Sequence, residues 1–190
     1  DALREVRSIS AGLTMPEIAV WSGRTIADQE LSESLQRMQT DAGRSNSHEV
    51  RALRALEPAA VLAKVGDLAE RARAQERFGV LLAATVQETR AAVLVHDDAR
   101  AVDAARRALC MVDGGHWPEA GYRPEVHYWA WRALRQGSAH THADKSEADA
   151  VLAAGCQWIQ AHVANVPAPS VDAFLNRHPI NRELLAAASR

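Results

Sequence analysis

The chain has 190 residues, 47 % of them hydrophobic and 24 % charged, with a formal net charge of −2. This composition suits one large globular domain or a short repeat array, and it leaves no electrostatic footprint for nucleic acid or an anionic membrane. No apolar run approaches the roughly 18–20 residues that span a bilayer. Ala dominates the apolar set, Leu, Arg and Glu are frequent, Gly, Pro and aromatics are sparse, and alternating runs of Val, Ile, Thr and Tyr are absent. A nearly all-helical fold follows from that balance of propensities. Lysine occurs only at Lys64 and Lys145, against many arginines, the usage of a GC-rich bacterial genome.

Leu3, Val6, Ile9 and Leu13 mark a first amphipathic helix. Thr14, Pro16 and Glu17 form a capping-box pattern for a short second one, which Gly23 ends. A third helix, roughly 26–41, carries Ile26, Leu31, Leu35 and Met38. The polar connection "DAGRSNS" (41–47) then separates an N-terminal helical section, 1–43, from the rest. Val50, Leu53 and Leu56 mark the next helix, and Pro58 starts another with Val61, Leu62, Val65 and Leu68. The stretch 76–98 is apolar over more than half its circumference, which predicts a helix flanked on two sides. An amphipathic helix over 98–115 ends at Gly114–Gly115, and an aromatic loop leads to a helix over 124–138. A long helix, 145–166, stops before Pro167, and Ser170 and His178–Pro179 begin two short terminal helices.

Small residues punctuate these helices. Ala101, Ala104, Ala105 and Ala108 share one face, and Ala150, Ala153, Ala154 and Gly155 repeat the device about 45 residues later. Such spacing predicts antiparallel helix pairs that approach closely and stack side by side.

The run "AVDAARRALCMVD" resembles the second helix of a tetratricopeptide repeat through Ala101, Ala105, Ala108 and Leu109. In the preceding helix Thr89 and Ala92 stand where that family prefers glycine and tyrosine. The end of the chain is similar to the closing segment of tetratricopeptide regions in large bacterial signalling and regulatory proteins. Phe174, Leu175, Arg177, Pro179, Asn181, Arg182, Leu184 and Leu185 carry that likeness. In those proteins the segment follows NTPase, cyclase or DNA-binding modules. The likeness implies a right-handed α-solenoid over 47–166, closed by capping helices over 167–190. A second, shorter resemblance places residues 3–18 beside the segment that follows the phosphoacceptor helix of some sensor histidine kinases; no ATP-binding boxes follow it. The chain begins with Asp1 and not Met, which reads as a piece of a longer protein.

Residues 114–131 concentrate Trp117, Tyr122, Tyr128, Trp129 and Trp131 beside His116 and His127. Aromatics with polar tips line peptide grooves, and they also pack cores. Arg132 and Arg135 follow on the same helix, placed to orient acidic groups of a partner. The stretch "HTHADKSE" offers His140, His142, Asp144 and Glu147 as metal ligands, but no second ligand cluster at fixed spacing accompanies it. It reads as a solvated loop in which Asp144 or Ser146 caps the next helix. Cys110 and Cys156 read as buried packing residues in a reducing cytoplasm. The chain has no Gly-rich phosphate loop, G-x-S-x-G, H-E-x-x-H or C-x-x-C.

These observations predict a cytoplasmic, non-catalytic regulatory or scaffold module that uses no cofactor. It would bind a protein or peptide partner, or a second copy of itself, and no nucleic acid. The alternatives are a dimerisation fragment of a sensor kinase, from residues 3–18, and an α-helical metal or enzyme domain using His140 and His142.

Overall fold

The computed structural model of the protein describes residues 49–118, 122–137 and 142–189, with only the backbone for 142–144. The N-terminal section 1–43 and the sensor-kinase likeness at 3–18 lie outside the described residues. So does His140.

All regular structure among the described residues is helical. α1 (49–54) leads to α2 (Pro58–Ala74), α3 (Phe78–Leu94), α4 (Asp98–Asp113), α5 (Arg123–Gly137) and α6 (His142–Val163). A 3-10 turn (Ala168–Ser170), a π turn (Ala173–Arg177) and α7 (Pro179–Ala188) follow. From α2 to α6 each helix packs against the next in sequence. α3 also packs against α5 and α5 against α7, whereas no comparable contact joins α2 to α4 or α4 to α6. Alternate helices therefore fall into two rows, with α3, α5 and α7 in one and α2, α4 and α6 in the other.

Three successive helix ends use one turn. After α2 the amides of Gln75, Glu76 and Arg77 donate to the carbonyls of Arg71, Arg73 and Ala72. After α3, Val95, His96 and Asp97 repeat the pattern onto Ala91, Val93 and Ala92, and after α4, Gly114, Gly115 and His116 do so onto Cys110, Val112 and Met111. Each turn needs one left-handed residue to release the chain from the helix. Gly115 (φ 84°) fills that position without strain, but Glu76 (φ 53°) and His96 (φ 60°) do so against their Cβ atoms.

α3 is buried on almost every side, by Val80 through Gln87, Thr89 and Ala91 through Val93. Its two threonines are satisfied locally, their hydroxyls donating to the carbonyls four residues back at 2.8 and 2.9 Å. Val50, Leu53, Val61, Val65 and Leu68 pack with Val80, Leu81 and Ala84 of α3, so α1 and α2 cover one part of its circumference. Ala92 and Val93 pack with Ala101 and Ala105 of α4 and with Ala130, Ala133 and Leu134 of α5. Ala101, Ala104, Ala105 and Ala108 are all buried, and their missing bulk is what brings α4 close.

The second small-residue set behaves differently. Ala150, Ala153 and Ala154 are exposed, and only Gly155 is buried; a Cβ on Gly155 would lie 3.0 Å from the His127 Cβ. α6 is seated instead through Ala148, Val151, Leu152, Cys156 and Ile159. α6 also begins at His142, so Asp144 and Ser146 both lie inside the helix and neither is its cap. Cys110, read from the sequence as buried, is exposed; it stands about 200° round α4 from buried Ala108.

The C-terminal segment closes the far end of the stack. Leu184 is fully buried with Leu152, Cys156 and Ile159, and Phe174, Leu175, Ile180 and Leu185 pack around them. Asn181 ties this segment down: its amide donates to the Phe174 carbonyl at 2.7 Å and its oxygen accepts from the Tyr122 hydroxyl at 2.9 Å. Arg177 pairs with Asp172 at 2.9 Å, and Arg182 is exposed.

Leu184→Ala is expected to destabilise the protein by about 2–5 kcal/mol, the cost of the lost burial and the cavity left behind; urea unfolding followed by circular dichroism measures it. Glu76→Gly is expected to raise stability by about 0.5–1 kcal/mol, because left-handed strain exceeds the added freedom of the unfolded chain. The same unfolding assay checks it.

Candidate functional site

The seven aromatic and arginine candidates fall into separate places. Tyr128, Trp129, Trp131, Arg132 and Arg135 share α5. Trp129 meets Tyr128 edge-on at 4.9 Å, and Trp131 lies 6.2 Å from Tyr128. The Arg132 guanidinium sits 5.3 Å from the Trp129 ring and 5.8 Å from Tyr128, and Arg135 sits 5.5 Å from Trp131. Tyr122 belongs to the C-terminal closure: it meets Trp158 edge-on at 5.8 Å and His178 at 4.6 Å. Trp158 in turn stacks on His162 at 3.8 Å. Trp117 is exposed and carries the Arg123 guanidinium on its ring.

A residue that the sequence reading did not single out completes the α5 cluster. Arg90, on α3, lies 6.0 Å from the same Trp129 indole that Arg132 addresses. It is the only cation in Phe78–Leu94, and a lone arginine in a helix otherwise enclosed was the signal available. Neither Arg90 nor Arg132 forms an ion pair with a carboxylate among the described residues. Arg132 reaches one only indirectly, donating to the Tyr128 hydroxyl at 3.2 Å while that hydroxyl donates to Glu183 of α7. Burial, and next the Glu183 hydrogen bond, push the Tyr128 phenol above its ordinary pKa, so it stays a neutral donor.

Other arginines of the stack are already engaged. Arg54 of α1 pairs with buried Glu125 of α5, whose other oxygen lies 3.5 Å from the Gln87 amide of α3. Arg100 and Arg107 converge on Glu88 at 2.8 and 2.9 Å. Arg54, Gln87 and Glu125 thus join α1, α3 and α5 through polar contacts, whereas Arg90 and Arg132 have no carboxylate partner among the described residues. Arg90 Nη1 is buried and has no hydrogen-bond partner among the described residues.

The side chains of His142 and Asp144 lie outside the described residues, and Glu147 pairs with Arg106 at 2.8 Å. Among the described residues no three His, Cys, Asp or Glu side chains gather to hold a metal. Cys156 is buried with its thiol 3.5 Å from the Leu184 carbonyl, and burial raises its pKa. No helix of the described residues is long and apolar enough to cross a membrane. No protein-family model, curated protein or solved structure matches the chain.

His127, one of the buried titratable groups of α5, is pressed against Gly155 of α6. Burial and then the nearby Arg123 charge lower its pKa, with Asp113 opposing them. A histidine whose folded pKa lies below its unfolded value of about 6.5 takes up its proton first in the unfolded chain. Its contribution to stability is therefore complete above pH 6.5 and lost as pH falls from there. Stability of the wild type minus that of His127→Gln is expected to shrink between pH 7 and pH 5 in urea titrations.

Proposed function

We propose that this chain is a non-catalytic helical-repeat module of tetratricopeptide type, with a regulatory or scaffold role in a bacterial signalling or transcription-regulatory protein. It binds an acidic segment of a protein partner across α3 and α5. The alternation of helices between two rows, the α3–α5 contact and the buried Ala101, Ala105 and Ala108 support the repeat reading. The observation that carries the binding reading is the convergence of Arg90 and Arg132, from neighbouring helices, on Trp129 without a carboxylate partner.

The chemistry favours this use. A guanidinium resting on an indole gains cation–π attraction and keeps its N–H fork free for a carboxylate. Its planar donors match both carboxylate oxygens, and the charge-assisted bonds that result are stronger than neutral ones. The indole itself offers apolar area to the residue beside the partner's acid. Glu183 on α7 sets a negative limit to the patch, which favours one register of an approaching segment over others.

An array of peptides bearing Asp or Glu, printed beside matched Asn and Gln versions, tests the reading. The full chain is expected to bind acidic members and to pass over their amides. Arg90→Ala and Arg132→Ala are each expected to weaken binding about ten-fold or more, the size of a charged hydrogen bond. Binding that ignores the acid-to-amide change, or survives Arg90→Glu with Arg132→Glu in a chain that still melts cooperatively, overturns it.

A further inference from the structure

α4 and α6 flank a groove of about 450 Å³, to which α5 contributes His127. The lining is mostly apolar, from Leu109 and Val112 on α4 and Ala150, Val151 and Ala154 on α6. The two exposed alanines of α6 keep it open, because a larger residue at either position would occupy it. Three features give the groove a chemical preference.

The first is His127, which lines the groove. It is 7 % exposed and its Nδ1 has no hydrogen-bond partner. A buried polar nitrogen left unpaired is costly, so an entering group that pairs with it is favoured. The second is the charge balance. Arg106 is held by Glu147 through bonds at 2.8, 3.2 and 3.3 Å, which leaves Asp113 as the lining charge with no ion-pair partner among the described residues. The third is position. Asp113 is the last residue of α4, a helix with no basic residue in its last turn. A carboxylate there adds to the negative end of the helix dipole, the opposite of the usual arrangement. Arg123 lies near His127, but its guanidinium rests on Trp117 and does not line the groove.

We propose that the α4–α6 groove binds a small amine in its ammonium form, with its aliphatic or aromatic body on Leu109, Val112 and Val151. Its N–H donors go to the Asp113 carboxylate and to the unpaired nitrogen of His127. The site is independent of the Arg90–Arg132 patch. The two carry opposite charge preferences and are tested separately.

Cys110 provides the readout, because it lines the groove and is exposed while Cys156 is buried. In the folded full chain, 4,4′-dithiodipyridine is expected to titrate one thiol, and two after unfolding. Hexylammonium is expected to slow the Cys110 reaction to a saturable limit, while 1-hexanol and hexanoate at the same concentration leave it unchanged. Asp113→Asn, at an exposed position, is expected to raise the half-protecting concentration about ten-fold. Retention of one reactive thiol in that variant shows that the fold is intact. Equal protection by hexanol reduces the groove to an apolar cleft, and protection by hexanoate gives it the opposite charge preference; either overturns the proposal. So does an unprotected thiol at millimolar hexylammonium, or an Asp113→Asn variant that protects as the wild type does.

Discussion

The burial of α3 governs the rest of the structure. A helix apolar around nearly its whole circumference cannot rest on a single neighbour, so it must be surrounded. α1 and α2 take one part of its surface, α4 another, and α5 a third. The contact between α3 and α5 displaces α4 to the other row, and the same alternation carries on to α6 and α7. Most of the stabilisation comes from removing this apolar area from water, at about 25 cal/mol per Å². The helix ends contribute the three repeated turns that let each chain reversal fit.

A stack of this kind ends on an exposed apolar face unless something covers it. Leu184, Phe174 and Ile180 cover the last long helix, but burial by itself does not fix a terminal segment in one place. Asn181 does so, since a fully buried amide must satisfy both its donor and its acceptor. It finds the Phe174 carbonyl on one side and the Tyr122 hydroxyl on the other, across 59 residues of chain. Tyr122 thus serves the closure, not the α5 surface it neighbours in sequence.

The two surface features have a common origin in this packing. Because α3 packs against α5, its one arginine meets Trp129 of that helix. Because α4 and α6 both pack on α5 and meet each other through the Arg106–Glu147 pair without close helix packing, a groove stays open between them. One place gathers cations on an aromatic ring, and the other presents an uncompensated carboxylate. The architecture assigns opposite electrostatic character to two sides of α5.

The residue pattern alone determined the helical class, Pro58 as the opening of α2, Gly114–Gly115 as the end of α4, and Ala101, Ala105 and Ala108 as a contact face. Those features are local: they depend on propensity, φ preference and side-chain volume within one helix. The end of α3 was less sharp, because its left-handed residue is His96, where glycine would have announced the turn. Exposed Cys110 and the exposed Ala150, Ala153 and Ala154 could not be read, since either side of a small-residue helix can be the one that packs. The pairing of Arg90 with Arg132 was likewise out of reach. Forty-two positions separate them in the chain, and only the meeting of α3 and α5 brings both guanidinium groups to one indole. Periodicity gives each helix an apolar face; which polar residues then share a surface depends on long-range packing.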